Sequence, residues 1–278
     1  MERLLVVGFG DIARRALPLL AARFEILRAA RSNGFDLDRP ETLALDRVDA
    51  LLHLAPPPGG EGDQDTRTAN LLAALEARRI LPACIVYVST SGVYGDCGGA
   101  LVDEARPIAP QTARARRRAD AERRLALWCT LRDVRLVVLR VPGIYAADRL
   151  PLARLRAATP VLRAEDDVYT NHIHADDLAA IAARALEDDA PGGIYNAADD
   201  SEIRMADWLD LVADRYALPR APRLPREQVR ARVSAELYSF MNESRRLDNR
   251  RLKQGLGVRL RHPTVYEGLK HEHALGVD

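Results

Sequence analysis

The first thirteen residues constrain this chain more than any other stretch. Residues 4–7 are a short apolar run, Gly8-Phe9-Gly10-Asp11-Ile12-Ala13 follows at once, and 11–23 carries Ile12, Ala13, Ala16, Leu19 and Leu20 at helical spacing. That order reads as strand, glycine turn, helix. A GxGxxA placed there permits a tight turn at Gly8, lets the backbone approach a pyrophosphate at Gly10, and lets the helix pack closely at Ala13. The free N–H groups that open the helix then face phosphate oxygens. Gly8, Phe9, Gly10, Asp11 and Ile12 are therefore expected to cradle a dinucleotide, an ordinary βα turn being the alternative.

The alternation that follows favours the cradle. Apolar strands are expected over 24–29, 35–37, 48–54, 84–89 and "VRLVVLRVP", with helices over 66–78 and 112–132 between them. Near-continuous apolar strands separated by helices indicate a parallel sheet covered on both faces. The expected fold is α/β, a Rossmann-type doubly wound parallel sheet with a smaller C-terminal substrate lobe. Residues 1–145 form the dinucleotide-binding domain in this reading, with 172–197 returning to it through a 177–186 helix and the strand in "GGIYNAAD". Residues 146–171 and 198–278 form the lobe, where Pro219, Pro222, Pro225 and Pro263 break the pattern. A chain of 278 residues, 47% of them apolar, can bury a core of this size.

The strand after the first helix ends "LRAARS", which puts Arg31 and Ser32 where an acid would bond the ribose 2′-hydroxyl of NAD. A guanidinium there suits a 2′-phosphate through charge-assisted bonds, so NADP is favoured, with NAD as the alternative. Composition narrows the partners. The 41 basic and 40 acidic residues are interspersed and leave a net charge of +1, which argues against nucleic acid. Cys84, Cys97 and Cys129 are odd in number and lack metal-type spacing, which fits a reduced cytoplasm. No apolar run reaches the ~18 residues of a membrane span, and "MERLLVVGFG" carries no cleavable signal. A soluble, cytoplasmic protein with a small-molecule substrate is expected.

Several separated motifs then match one family in order: "GFGDIA", "FDLD", "LLHLAPPP", "STSGVYGD", "VDEARPIAP", "RVPGIYAADR", "NHIHADDLAAIAARAL", "GGIYNAADD" and "RRLDNRRLKQGLGVRLRHPTVYEGL". The chain resembles an atypical member of the short-chain dehydrogenase/reductase superfamily, close to the extended NAD-dependent epimerase/dehydratase group. The resemblance implies that Asp36, Leu37, Ala55 and Pro56 lie on the cofactor. It also implies that Pro142, Gly143 and Ile144 lie against the nicotinamide, and that Thr90 bonds a substrate carbonyl or carbinol. A homodimer through the 112–132 helix is common in that family.

The departure from the family is equally specific. With Glu122 fixing the register, the catalytic tyrosine position holds Arg114 and the lysine position Arg118. There is no tyrosine between Tyr94 and Tyr145 and no lysine before Lys253, so sliding the helix cannot restore the pair. An arginine stays protonated and has no lone pair to accept a proton, so Arg114 cannot be the base, whereas Arg118 can still hold the nicotinamide ribose and supply positive charge. The acid/base must come from Tyr94, Tyr145, His172 or His174, with Tyr94 the first choice and core packing its alternative. His172 and His174 followed by Asp176 and Asp177 are read as strand and helix cap rather than as a metal site, and no metal is expected. The arginine that clamps a diphosphate in nucleotide-sugar enzymes is Thr170 here, with Arg154, Arg156 and Arg163 as substitutes nearby. The expected function is an NAD(P)-dependent oxidoreductase or epimerase/dehydratase-like protein acting on a small polar carbonyl or alcohol. The alternative is a non-catalytic NADP(H)-binding redox sensor, and a cofactor-free scaffold is disfavoured by the intact glycine turn.

Overall fold

The computed structural model describes residues 1–44, 46–60 and 62–271. The first part of the chain runs β1 (Glu2–Val7), α1 (Asp11–Leu20), β2 (Phe24–Ala29), β3 (Ala50–His53), α2 (Thr66–Ala77), β4 (Cys84–Thr90), β5 (Leu101–Val102), α3 (Ala113–Thr130) and β6 (Arg135–Val141). It continues as β7 (Gly143–Tyr145), α4 (Leu152–Arg156), β8 (Val161–Leu162), β9 (Tyr169–Thr170), β10 (His172–His174), α5 (Ala175–Ala185) and β11 (Gly193–Asn196). The remainder is β12 (Ile203–Arg204), α6 (Met205–Arg215), β13 (Arg223–Leu224), α7 (Arg226–Arg230), α8 (Ala235–Phe240), β14 (Arg246–Leu247), α9 (Arg250–Gly255) and α10 (Val265–His271). No helix among the described residues is long and apolar enough to cross a membrane.

Six strands form one parallel sheet in the order β11-β6-β4-β3-β1-β2. Alternation inside β1 shows why both faces must be covered. Leu4 and Val6 join the core cluster with Ala13 of α1 and Leu178 of α5, while Leu5 and Val7 join the cluster with Leu71 of α2 and Leu125 of α3. Successive strand side chains point to opposite faces, and each fully buried Leu or Val contributes roughly 1.5–3 kcal/mol. Val7 pairs with Ala29 on one side and His53 on the other, so β1, β2 and β3 end level. The strand order reverses at β1, and the crevice at such a reversal is where open α/β sheets bind ligands.

The strand expected over 35–37 does not form. Gly34 turns the chain with φ +83°, and Asp36 is instead tied to Thr42, whose Oγ1 accepts from Asp36 N at 2.9 Å. The helix expected over 11–23 closes at Leu20, where Ala21 N donates to Leu17 O. The helix expected over 177–186 begins at Ala175, because the His174 ring accepts from Asp176 N and caps it.

Beyond β6 the chain leaves the sheet. β7 pairs with β10 outside it, and α5 and β11 then return. Short pairs β8–β13, β9–β12 and β5–β14 decorate the rest. A separate apolar cluster holds that part together, with Tyr145, Leu155, Trp208, Leu209, Met241 and Val265 among its members. Residues 272–278, at the end of the expected lobe, lie outside the described residues.

Candidate functional site

The glycine turn has a geometry that only glycine accepts. Gly8 has φ +88°, and a Cβ there would lie 2.5 Å from Ala55 N. L-residues avoid this conformation. Gly8 N donates to Ala29 O at 2.9 Å, and Gly10 N donates to Gly8 O at 2.9 Å, which aims the start of α1 across the strand ends. Gly10 caps α1 with no side-chain hydrogen bond, so the first-turn N–H groups are left for an anion.

This turn opens on a cavity of about 260 Å³. Gly8, Phe9 and Gly10 line it from the turn after β1, Arg31, Asp36 and Leu37 from the segment after β2, and Ala55 and Pro56 from beyond β3. A cradle that a single Cβ would fill, an uncapped helix start and a lining arginine together fit a phosphorylated dinucleotide. Three expected residues stand off the cavity wall. The Asp11 carboxylate accepts from Arg15 at 3.1 Å and from Arg149 at 3.2 Å. Ile12 packs on the sheet core, and Ser32 is exposed in a turn of 3₁₀ helix. Arg67 lines the cavity and was not anticipated. It donates to Asp38 at 2.6 Å and to Pro56 O at 3.1 Å, and its guanidinium holds the Asp38 carboxyl below the usual carboxylate range. Nothing in the local pattern "DTRTAN" marks it.

A second cavity of about 160 Å³ lies beyond the end of β4. Thr90, Ser91, Gly92, Pro142 and Gly143 form one wall, and Tyr169, Thr170, Asn171, Phe240, Glu243 and Arg245 line it with Arg114. Thr90 caps the 3₁₀ turn Ser91–Tyr94, its Oγ1 accepting from Gly92 N at 3.2 Å. A hydroxyl that accepts in this way keeps its own proton to donate. Ile144 does not join the wall; it packs on the core.

Tyr94 is not in this cavity. It is 1% exposed and packs with Val93, Val102, Ala198 and Leu247, and its hydroxyl donates to Asn196 Oδ1 at 2.8 Å. Burial pushes the hydroxyl above its ordinary pKa, with the Arg140 guanidinium, 4.7 Å from the ring centre, acting against that rise. Arg140 in turn donates to Glu122 at 2.8 Å, and Ser89 Oγ donates to Glu122 at 2.5 Å. The other sequence candidates for acid/base are buried as well: Tyr145 is 2%, His172 5% and His174 1% exposed. Burial lowers His172 to about 3. The tyrosine that does line the cavity is Tyr169, with Arg204 and Arg246 at 5.0 and 5.2 Å from its ring.

Arg118 is on the wall of neither cavity. Its Nη1 donates to Val88 O at 2.8 Å, two residues before Thr90, and reaches Ala55 O of the first cavity at 3.4 Å. It also donates to the Tyr87 hydroxyl at 3.1 Å, which burial pushes up to about 12. Arg114 lies 4.1 Å over the Phe240 ring. The arginines suggested as substitutes for the missing diphosphate clamp are elsewhere, Arg163 donating to Asp166 at 2.9 Å; Arg114 and Arg245 are the arginines on the cavity wall.

His174, Asp176 and His262 approach one another, their ligand-type atoms within 4.8 Å. Asp176 is already engaged by Arg15 at 2.6 Å, and His174 Nδ1 accepts from Asp176 N at 3.2 Å. Asp177 does not cap α5. Its carboxylate accepts from Arg261 N at 2.7 Å and His262 N at 2.9 Å, fastening the C-terminal segment to the helix.

The family model described as NAD dependent epimerase/dehydratase matches residues 36–198. No curated protein matches the chain. Among solved structures, a functionally unknown conserved protein from Silicibacter pomeroyi is 29% identical with a TM-score of 0.78, and 97% of each chain is covered. RMD from Pseudomonas aeruginosa, solved with NADPH, is 20% identical with a TM-score of 0.74 over 97% of each chain. A human epimerase family protein, also solved with NADPH, is 21% identical with a TM-score of 0.75 over 97% of this chain and 98% of that one.

Proposed function

The chain belongs to the NAD dependent epimerase/dehydratase family, and we propose that it is an oxidoreductase or epimerase/dehydratase-like enzyme that binds NADP in preference to NAD and acts on a small polar carbonyl or alcohol. The two neighbours solved with NADPH support a nicotinamide dinucleotide. The turn at Gly8 and Gly10 and the open N-terminus of α1 would hold its pyrophosphate, with Arg31 on the 2′-phosphate and Asp36, Leu37, Ala55 and Pro56 beside the adenosine. When bound, the dinucleotide supplies hydride transfer at its nicotinamide ring.

The residues of this chain do the rest. The observation that carries the reading is the position of Arg118, one nitrogen of which touches both Ala55 O of the first cavity and Val88 O on the strand that ends at Thr90. Arg118 braces the ribose side through Ala55 and keeps a positive charge behind the reacting centre. Thr90 Oγ, its lone pair engaged by Gly92 N, donates to the substrate oxygen as negative charge develops there. Pro142 and Gly143 shape the wall that carries Thr90. Arg114 binds and screens but exchanges no proton. With Tyr94 in the core, Tyr169 is the tyrosine able to exchange a proton at this cavity. The expected homodimer is proposed through α3, where Leu127 and the C-capping Leu131 are exposed, and light scattering tests it.

One observation favours a second reading, a non-catalytic NADP(H) sensor: no tyrosine–lysine pair faces Thr90, because Arg114 and Arg118 occupy those positions. NADPH oxidation against a panel of small aldehydes, ketones and keto acids separates the two. Turnover that falls at least tenfold in Thr90→Val with NADPH affinity unchanged supports the enzyme. Tight NADPH binding without turnover on any compound would move the conclusion to the sensor.

A further inference from the structure

The cavity beside Thr90 is charged as well as small. Its charged lining residues are Arg114, Glu243 and Arg245, two cations and one anion, which leaves one positive charge. Arg114 is pinned over Phe240, and its carboxylate neighbour, Glu236, is 3.9 Å away with a side chain 79% exposed. Water screens that pair, so it does little to cancel the charge.

Arg245 is held differently. Its backbone carbonyl accepts from Asn171 Nδ2 at 2.9 Å, and Asn171 Oδ1 accepts from Leu247 N at 2.8 Å, so the segment entering β14 is fixed against the cavity wall. Its guanidinium bonds within the chain, to Gly95 O at 2.6 Å and to Glu243 Oε2 at 2.9 Å, are both made by Nη1. Nε is buried with no acceptor among the described residues. A buried cationic donor without an acceptor is costly. The edge left over, Nε with Nη2, is the edge that grips a carboxylate through two parallel N–H···O bonds.

We propose that this cavity binds a small monocarboxylate, a hydroxy or keto acid, with its carboxylate on the Nε–Nη2 edge of Arg245 and its carbinol or carbonyl oxygen presented to Thr90. The inference rests on the reading of this cavity as the substrate site. Charge selects the monoanion, since a phosphate dianion would overshoot the single net positive charge and lie beside Glu243. Size selects a short acid. About 160 Å³ falls below the ~300–1,000 Å³ of pockets that take drug-sized ligands, and a nucleotide sugar exceeds it.

The test is binding to the NADPH-loaded protein, followed by saturation-transfer NMR and titration calorimetry. The probes are lactate, 2-hydroxybutyrate, pyruvate and 2-ketobutyrate, with lactamide as the neutral control and hydroxyacetone phosphate as the dianionic one. At least one acid should bind tenfold or more tightly than lactamide and than hydroxyacetone phosphate. Arg245→Lys, which keeps the charge but loses the fork, should weaken that acid at least tenfold with NADPH affinity unchanged. Glu243→Gln removes the competing charge and should tighten it about threefold or more, a gain that a damaged fold cannot mimic. Equal binding of lactamide, stronger binding of the phosphate, or an Arg245→Lys variant that binds the acid as well as wild type overturns the proposal. So does a protein that holds NADPH but none of the acids. If the acids bind and NADPH does not, the anchor stands and the cofactor reading falls.

Discussion

The Tyr94 hydroxyl donates to Asn196 Oδ1 at 2.8 Å, and Asn196 Nδ2 donates onward to Val102 O and Asp248 O, each at 3.1 Å. Tyr94 therefore joins the turn after β4 to the end of β11 and to the β5–β14 pair. Tyr94→Phe leaves a buried acceptor without a donor and should lower stability by about 1–3 kcal/mol, read as a lower denaturant midpoint with unchanged slope. NADPH affinity should stay within twofold of wild type. A variant that keeps its stability and loses substrate turnover would return Tyr94 to the catalytic machinery.

Gly8→Ala should disable the first cavity. The new Cβ would sit 2.5 Å from Ala55 N, and the backbone conformation alone costs ~1–2 kcal/mol for an L-residue. Either the turn shifts away from the phosphates or β3 moves. Calorimetry should show NADPH binding at least tenfold weaker, whereas Gly59→Ala, with open space around its Cβ and no positive φ, should bind nearly as wild type does. Equal losses in the two variants would point to general destabilisation instead.

Arg31 is expected to set the cofactor preference. A charge-assisted bond to the 2′-phosphate contributes about 1.5–3 kcal/mol, so wild type should prefer NADPH over NADH by tenfold or more, and Arg31→Ala should remove most of that preference by weakening NADPH alone. Arg67→Ala should behave differently. Its bonds to Asp38 and Pro56 O shape the cavity for either dinucleotide, so both affinities should fall together.

How far the sequence could be read depended on the distance over which each contact acts. The glycine turn, the strands of the central sheet and the long α3 follow from local spacing, and all of them form. The family resemblance singled out Thr90, and the structure places it at the end of β4 on the wall of the second cavity. Tyr94 was not legible. Four residues after Thr90 the 3₁₀ turn Ser91–Tyr94 has rotated its side chain into the core, and Asn196, the partner that receives it, lies 102 residues away. Arg245 escaped for the same reason. It opens the motif "RRLDNRRLKQGLGVRLRHPTVYEGL", which carried the resemblance without a site role, and its tie to Asn171 spans 74 residues. The 35–37 strand failed because Gly34 turns the chain and Thr42 binds Asp36 before any strand partner can.

Asp199 gives a pH dependence whose sign can be worked out. It follows β11, is 4% exposed, and has one oxygen accepting from Ser201 N at 2.9 Å and the other buried with no donor among the described residues. Burial raises its carboxyl to about 7. An unfolded Asp releases its proton near pH ~4. Between those values the folded state binds more protons than the unfolded state, so this contribution is fully present below pH ~4 and is lost as pH rises towards 7. The loss reaches roughly 4 kcal/mol. The buried His53 and His172, each lowered to about 3 by burial, act in the opposite direction and below their unfolded value of ~6.5, where acid forces them to charge. Denaturant unfolding at pH 5.5 and pH 8 isolates Asp199 when wild type is compared with Asp199→Asn, since the histidines are common to both. The variant should gain on wild type as pH rises, by roughly 2 kcal/mol across that window, because an amide has no proton to lose. Parallel stabilities at the two pH values would show that Asp199 is ionised throughout and that its unpaired oxygen is matched by a partner in solution.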